Sequence, residues 1–146
     1  MLDCLDSMAD IMSAEKRSYV MSCVGSKDTR PELMVRKYLH AQGFRFRLHR
    51  KDLPGKPDIV LPKLKTVVFV HGCFWHGHEG CRRARLPATR TEWWGQKVAR
   101  NRERDAEQQA QLRAAGWRVL LVWQCELKAA VRAGNLAALS LILKRQ

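Results

Sequence analysis

Apolar and polar positions alternate along this chain with helical and strand periods, and the first firm element opens at Thr29. Thr29-Arg30-Pro31-Glu32 combines a capping threonine, a glutamate three residues on and a proline in the first turn, the signature of a helix start. Leu33, Val35 or Arg36, and Leu39 supply an apolar side and Gly43 a left-handed stop, which predicts a helix over 30–42. A fainter period with Tyr19, Val20 and Cys23 on one side predicts a shorter helix over 13–24. Residues 1–13 are acidic, Met-rich and without period, and read as a flexible leader in which Met8 is an alternative start.

Strict alternation in Phe44-Arg45-Phe46-Arg47-Leu48-His49 predicts a strand with one buried and one basic face. After the break at Leu53-Pro54-Gly55-Lys56-Pro57, the apolar runs 58–61 and 66–70 have the character of short buried strands. Residues 71–91 have loop composition, with three glycines, three of the five histidines and two cysteines. A charged helix follows to about residue 115, closed by Gly116, with Trp94, Val98, Asn101 and Asp105 on one face. Residues 117–123 predict another strand, and 126–145 one or two helices, the later starting near Asn135. This order predicts an α/β fold in which helices flank a mixed central β-sheet, as a single domain over 14–146.

Composition narrows the functional classes. A 146-residue chain with 46% hydrophobic and 28% charged residues buries a sizeable core without needing disulfides or repeats. Its longest apolar runs, 67–70 and 119–123, are far short of the roughly 18 residues a membrane helix requires. Four acidic residues precede the first basic one, the reverse of a secretory signal, so the cytoplasm is the expected compartment. A net charge of +13 points to a polyanionic partner.

Five cysteines is an odd number for a disulfide framework, and their spacing favours a metal. Cys73, His78 and Cys81 share one loop and Cys125 follows the last strand, a thiolate and imidazole set that suits one tetrahedral, structural Zn2+. The alternative is that Cys73 and Cys125 are buried core thiols. Cys4 and Cys23 have no partner at useful spacing. Separately, Asp58 opens a short strand after Pro57, where a carboxylate can hold Mg2+ for phosphodiester hydrolysis, although an aspartate after proline is also an ordinary turn residue.

Between residues 82 and 104 the chain carries Arg82, Arg83, Arg85, Arg90, Lys97, Arg100, Arg102 and Arg104 against Glu92 and Glu103. Such a segment can neutralise several DNA phosphates, whereas a solvated helix face would account for Arg100 to Arg104 alone. Asn101 is counted with this DNA-binding surface. Phe74, Trp75 and Trp94 interleave with it, while Trp93, Trp117 and Trp123 read as core.

Five blocks occur in a telling order: Leu53-Pro54-Gly55-Lys56-Pro57-Asp58-Ile59-Val60, His71-Gly72-Cys73-Phe74-Trp75-His76-Gly77-His78, Pro87-Ala88-Thr89-Arg90-Thr91-Glu92-Trp93-Trp94, Asn101-Arg102-Glu103-Arg104-Asp105 and Gly116-Trp117-Arg118-Val119-Leu120. Over about residues 16–128 the chain resembles the very-short-patch repair (Vsr) endonuclease family. The resemblance implies a restriction-endonuclease-like fold, a variant of the PD-(D/E)XK superfamily. It also implies a Mg2+-dependent nick on the 5′ side of the thymine in a T·G mismatch, the product of 5-methylcytosine deamination. That superfamily usually carries Glu-x-Lys on the second strand, where this chain reads Phe69-Val70-His71.

The resemblance also implies roles. Asp58 matches the metal-ligating aspartate and the main-chain carbonyl of Val70 the second Mg2+ ligand. His71 and His76 match the active-site histidines, with His76 the candidate base and His71 near the metal's water shell or the phosphate. Glu32 matches a glutamate that reaches the metal-bound waters, compatibly with capping its helix. Phe74, Trp75 and Trp94 match an aromatic wedge that enters a base step weakened by a mismatch. The implied partner is double-stranded DNA with a T·G mismatch, with mismatch-repair proteins as further partners and a monomer as the working state. The alternatives are a restriction- or homing-type double-strand endonuclease on the same fold, and a non-catalytic zinc-stabilised DNA-binding module.

Overall fold

The computed structural model describes residues 13–22 and 27–145. Cys4, Cys23, Met8 and all of the expected leader except Ser13 lie outside the described residues. Among the described residues, four α-helices, α1 (Ala14–Ser22), α2 (Arg30–Ala41), α3 (Thr91–Ala114) and α4 (Arg132–Lys144), accompany three strands, β1 (Ile59–Leu61), β2 (Thr66–His71) and β3 (Arg118–Trp123).

The capping box forms as the sequence predicts, with a twist at its return bond. The Glu32 N–H donates to Thr29 Oγ1 (3.4 Å), and the Glu32 carboxylate accepts from the Thr29 hydroxyl (3.0 Å) and the Asp28 N–H (3.0 Å). Gly43, at φ +88°, ends α2 as expected. The buried side differs from the expected one: Glu32, Val35, Arg36 and Leu39 are buried, at i, i+3, i+4 and i+7, and Leu33 is exposed. Leu33 lies one residue, about 100° of arc, off that stripe.

β1 pairs antiparallel with β2 from Ile59↔Val68 to Leu61↔Thr66, and β2 pairs parallel with β3 from Thr66↔Arg118 to His71↔Trp123. The sheet is therefore mixed, in the order β1-β2-β3, with all six residues of central β2 buried. Ile59, Leu61, Val68, Val70 and Val122 face α2 and α4, where Val35, Leu39, Leu136, Leu139 and Leu143 complete one core cluster. The opposite face buries Val60, Val67 and Phe69 with Leu112 of α3 and Trp117. The period-2 alternation of strands thus assigns neighbouring residues to two separate cores.

Two further expectations about the elements need correcting. Residues 44–49 keep their alternation, with Phe44, Phe46 and Leu48 packed on the α2/α4 core, but they form one antiparallel bridge, Arg47↔Val60, rather than a strand. β1 offers only three residues to pair with, and His49 turns away at φ +54°. The last helix begins at Arg132 rather than near Asn135, after a 3-10 turn at Gln124–Leu127.

Because β2 and β3 are parallel and β1 antiparallel to them, the end of β2, the end of β3 and the start of β1 share one edge of the molecule. In parallel α/β sheets ligands collect outside the carboxyl ends of the strands. Asp58, His71 and Cys125 all lie there.

Candidate active site and metal centre

Asp58 immediately precedes β1, and its Oδ2 accepts the Val70 N–H at 2.6 Å. This bond fixes the carboxylate against the end of β2. Burial raises the Asp58 pKa to about 6 despite the Val70 N–H; the neighbouring Glu32 charge adds to the rise, and Arg36 and His76 oppose it. A carboxylate held out of water with no direct cationic partner suits a hard divalent cation, with oxygen as its ligand.

Behind Asp58, Arg36 donates to Glu32 Oε2 (2.9 Å) and to Asp28 Oδ1 (2.5 Å), and His49 Nε2 lies 3.4 Å from that same Asp28 oxygen. Glu32 is therefore engaged both by its helix cap and by a buried guanidinium. The sequence gives no sign of Asp28 here, and it places Arg36 only as an alternative to Val35 on the apolar side of α2, without the carboxylates that pair with it.

His71 ends β2 and His76 sits five residues on, yet their rings stack at 3.8 Å with 6° between planes. Burial first, then the positive charge that His76 can carry, pulls the His71 pKa to about 4, against the pull of Asp105. His71 is accordingly neutral near pH 7. His76 Nδ1 lies 2.6 Å from Asp105 Oδ2, an imidazole oriented by a carboxylate. The ligand atoms of His71, His76 and Asp105 lie within 4.8 Å of one another. Parallel stacked rings point their in-plane lone pairs along separate planes, which does not favour their sharing one ion.

The reason His76 and Asp105 meet is that α3 clamps the loop. Asn101 Nδ2 donates to the Trp75 carbonyl (3.0 Å), and one turn further Asp105 reaches His76. Between them Gly77, at φ +59°, lies so close that a Cβ there would stand 2.7 Å from both Val98 Cγ1 and Arg102 Cδ. Asp105 was legible only as a member of the α3 face with Trp94, Val98 and Asn101; its partnership with His76 depends on the loop's path.

Cys73, His78, Cys81 and Cys125 bring their ligand atoms within 4.8 Å of one another, with Cys125 Sγ 3.4 Å from His78 Nδ1. Sequence spacing alone anticipated this group. Cys73 is fully buried, and burial pushes its thiol up to about 12. Three sulfurs and one imidazole fit a tetrahedral metal ion. Trp123, expected in the core, is only half-buried and joins the two centres: it stacks on His78 (4.0 Å, 3°) and meets His71 edge-on (5.3 Å).

Beside this edge Phe74, Trp75 and Trp94 contact one another at centroid distances of 5.2 to 5.9 Å. Phe74 and Trp75 are half-buried and Trp94 is buried. Lys97 Nζ lies 5.0 to 5.7 Å from the rings of Trp75, Trp93 and Trp94. Trp93 departs from its expected core position and is 41% exposed. Arg82, Arg85 and Arg90 are exposed and Arg83 half-buried, so most of the expected cations face outward.

Known proteins place this arrangement. The family model for the DNA mismatch endonuclease Vsr matches residues 9–83. The chain is 59% identical over 120 residues to the type II nicking enzyme V.XorIIP of Xanthomonas oryzae pv. oryzae, covering 82% of this chain and 88% of that protein. It is 50% identical over 121 residues to the type II nicking enzyme V.NmeAIP of Neisseria meningitidis (83% and 86% covered). To the DNA mismatch endonuclease Vsr of Escherichia coli it is 43% identical over 121 residues (83% and 77% covered). A carboxylate, an oriented imidazole and a basic aromatic surface on one edge agree with those names, and the chain belongs to the Vsr family of DNA mismatch endonucleases as an endodeoxyribonuclease.

Proposed function

We propose that this endonuclease nicks one strand of a DNA duplex on the 5′ side of the thymine in a T·G mismatch, with Mg2+ as its catalytic metal. The observation that carries the reading is the convergence of Asp58 and the His76–Asp105 pair at the ends of β1 and β2, beside the ring cluster of Phe74, Trp75 and Trp94. Mismatch and nicking activity appear in the names of the relatives in Escherichia coli and Xanthomonas oryzae. The fold is read as a PD-(D/E)XK variant in one domain over 14–146.

Asp58 and the Val70 carbonyl would hold Mg2+, which when bound supplies positive charge to the phosphate oxygens and the leaving 3′ oxygen. Glu32, kept in place by its cap and Arg36, borders the metal's water shell. His76 accepts the proton of the attacking water at Nε2, and Asp105 stabilises the resulting imidazolium through Nδ1. His71, kept neutral by burial, leaves His76 as the one ring of the stacked pair to become positive, and donates a hydrogen bond towards the phosphate. Cys73, His78, Cys81 and Cys125 would hold one structural Zn2+, leaving no open coordination position. Phe74, Trp75 and Trp94 open the base step at the mismatch, while Arg82, Arg83, Arg85, Arg90, Lys97 and Asn101 bind the surrounding DNA. The enzyme works as a monomer in the cytoplasm, and mismatch-repair proteins are its further partners.

The test is Asp58→Ala on a strand-labelled T·G duplex. The account expects loss of Mg2+-dependent nicking with mismatch binding retained and the protein still folded. Undiminished nicking by the folded variant would remove Asp58 from the reaction. Double-strand cleavage by the wild-type enzyme would favour the restriction-type alternative.

A further inference from the structure

Trp93 differs from the other tryptophans at the site in exposure: Trp94 is buried and Trp75 and Trp123 are half-buried. Trp94 and Val98 occupy the buried stripe of α3, and Trp93 projects about 100° away from it, with 41% of its surface exposed. An isolated exposed aromatic would need no explanation, but this one is organised. Its ring meets Trp94 edge-on at 4.7 Å, which makes it the outer member of a continuous series Phe74–Trp75–Trp94–Trp93.

Two cations attend the same ring. Arg90 Cζ lies 4.7 Å and Lys97 Nζ 5.0 Å from the Trp93 centroid. Arg90 reaches that position from a left-handed backbone, φ +54° and ψ 35°, a conformation that non-glycine residues seldom adopt. The turn that imposes it is anchored by Thr91, whose hydroxyl donates towards the carbonyls of Pro87 (2.6 Å) and Ala88 (3.0 Å). Arg90, Trp93 and Lys97 follow one another at helical steps of three and four residues and so share one exposed face, on which two cations lie against one indole at the outer end of the ring series.

We propose that Trp93 is a further DNA-contacting residue, which packs its free surface on the nucleotide beside the opened base step while Arg90 and Lys97 meet the flanking phosphates. Aromatic surface interleaved with cations is the chemistry of a nucleic-acid stacking platform. A base has a π-face whatever its identity, so the contact adds affinity on any duplex, and it adds most where a neighbouring step is already unstacked. The inference rests on the DNA endonuclease assignment, and its DNA-binding part does not depend on T·G specificity.

The experiment measures dissociation constants by fluorescence anisotropy for wild type, Trp93→Leu and Trp93→Phe, on T·G and T·A duplexes at one salt concentration. Trp93→Leu keeps apolar bulk without an aromatic face and should bind about tenfold more weakly. Trp93→Phe should recover most of the loss. With 2-aminopurine placed at successive positions on either side of the mismatch, one position should change emission on binding of wild type and lose that response with Trp93→Leu. Equal affinity of Trp93→Leu and wild type on both duplexes, with no position of 2-aminopurine distinguishing them, would overturn the proposal. Equal binding of T·G and T·A by wild type would instead count against the mismatch reading, leaving the tryptophan ratio interpretable on either duplex.

Discussion

Asp58 and His71 are displaced in opposite directions by one cause, burial that disfavours the charged form of each. The folded Asp58 pKa of about 6 exceeds its ordinary 3.8, so its ionisation lowers stability as pH rises through that window and the penalty persists above it. Metal-free Asp58→Asn should therefore be more stable than wild type at pH 7, by on the order of 1–3 kcal/mol in urea unfolding. His71 behaves oppositely: folded near 4 against an ordinary 6.5, it contributes stability that is complete above 6.5 and lost as pH falls towards 4. His71→Gln should flatten the acid side of the stability profile, and an unchanged acid slope would contradict its neutral, buried state. Asp105 makes a different prediction, because it is hydrogen-bonded to His76. Asp105→Asn should slow nicking by roughly 10²–10⁴-fold with little change in DNA affinity, a split that single-turnover kinetics and anisotropy would measure.

At the scale of elements, the loop over 71–81 has little regular structure and is held from two sides, by α3 through Asn101 and Asp105 and by the Cys125 turn through its contact with His78. Removing one ligand should release both centres at once. Cys125→Ser is expected to lose bound zinc, measured by elemental analysis, and to lower the thermal midpoint, and retention of one zinc per chain would refute the four-ligand set. What the sequence made legible here follows how local each signal is. The α2 cap was readable because Thr29, Pro31 and Glu32 act on their own backbone. The pairing of residues 44–49 was not, because alternation reports which side chains are buried and not how many rungs a three-residue β1 can offer. Leu33 misled for a similar reason: its hydrophobicity was visible, while the burial of Glu32 and Arg36 depends on Asp28 and the site beyond.

For the whole molecule, the candidate ligands and histidines were legible as a motif, but their division of labour was not. His71, His76 and His78 look alike in the chain, and only the path of the loop makes one the stacked neutral ring, one the partner of Asp105 and one a neighbour of Cys125. Net charge of +13 was informative at this scale and predicts association steered by phosphates. The logarithm of the binding constant should fall steeply and linearly with that of salt concentration, and Arg82→Gln with Arg85→Gln should lower the slope by about 1–2. An unchanged slope would take those two arginines off the DNA.

The most direct measurement is cleavage of a duplex with each strand separately labelled, carrying one T·G mismatch in varied flanking contexts, beside its T·A control, with Mg2+ and with EDTA. The account predicts a single Mg2+-dependent nick immediately 5′ of the mismatched thymine and none in the control. Equal cutting of both duplexes, or cutting of both strands, would contradict it.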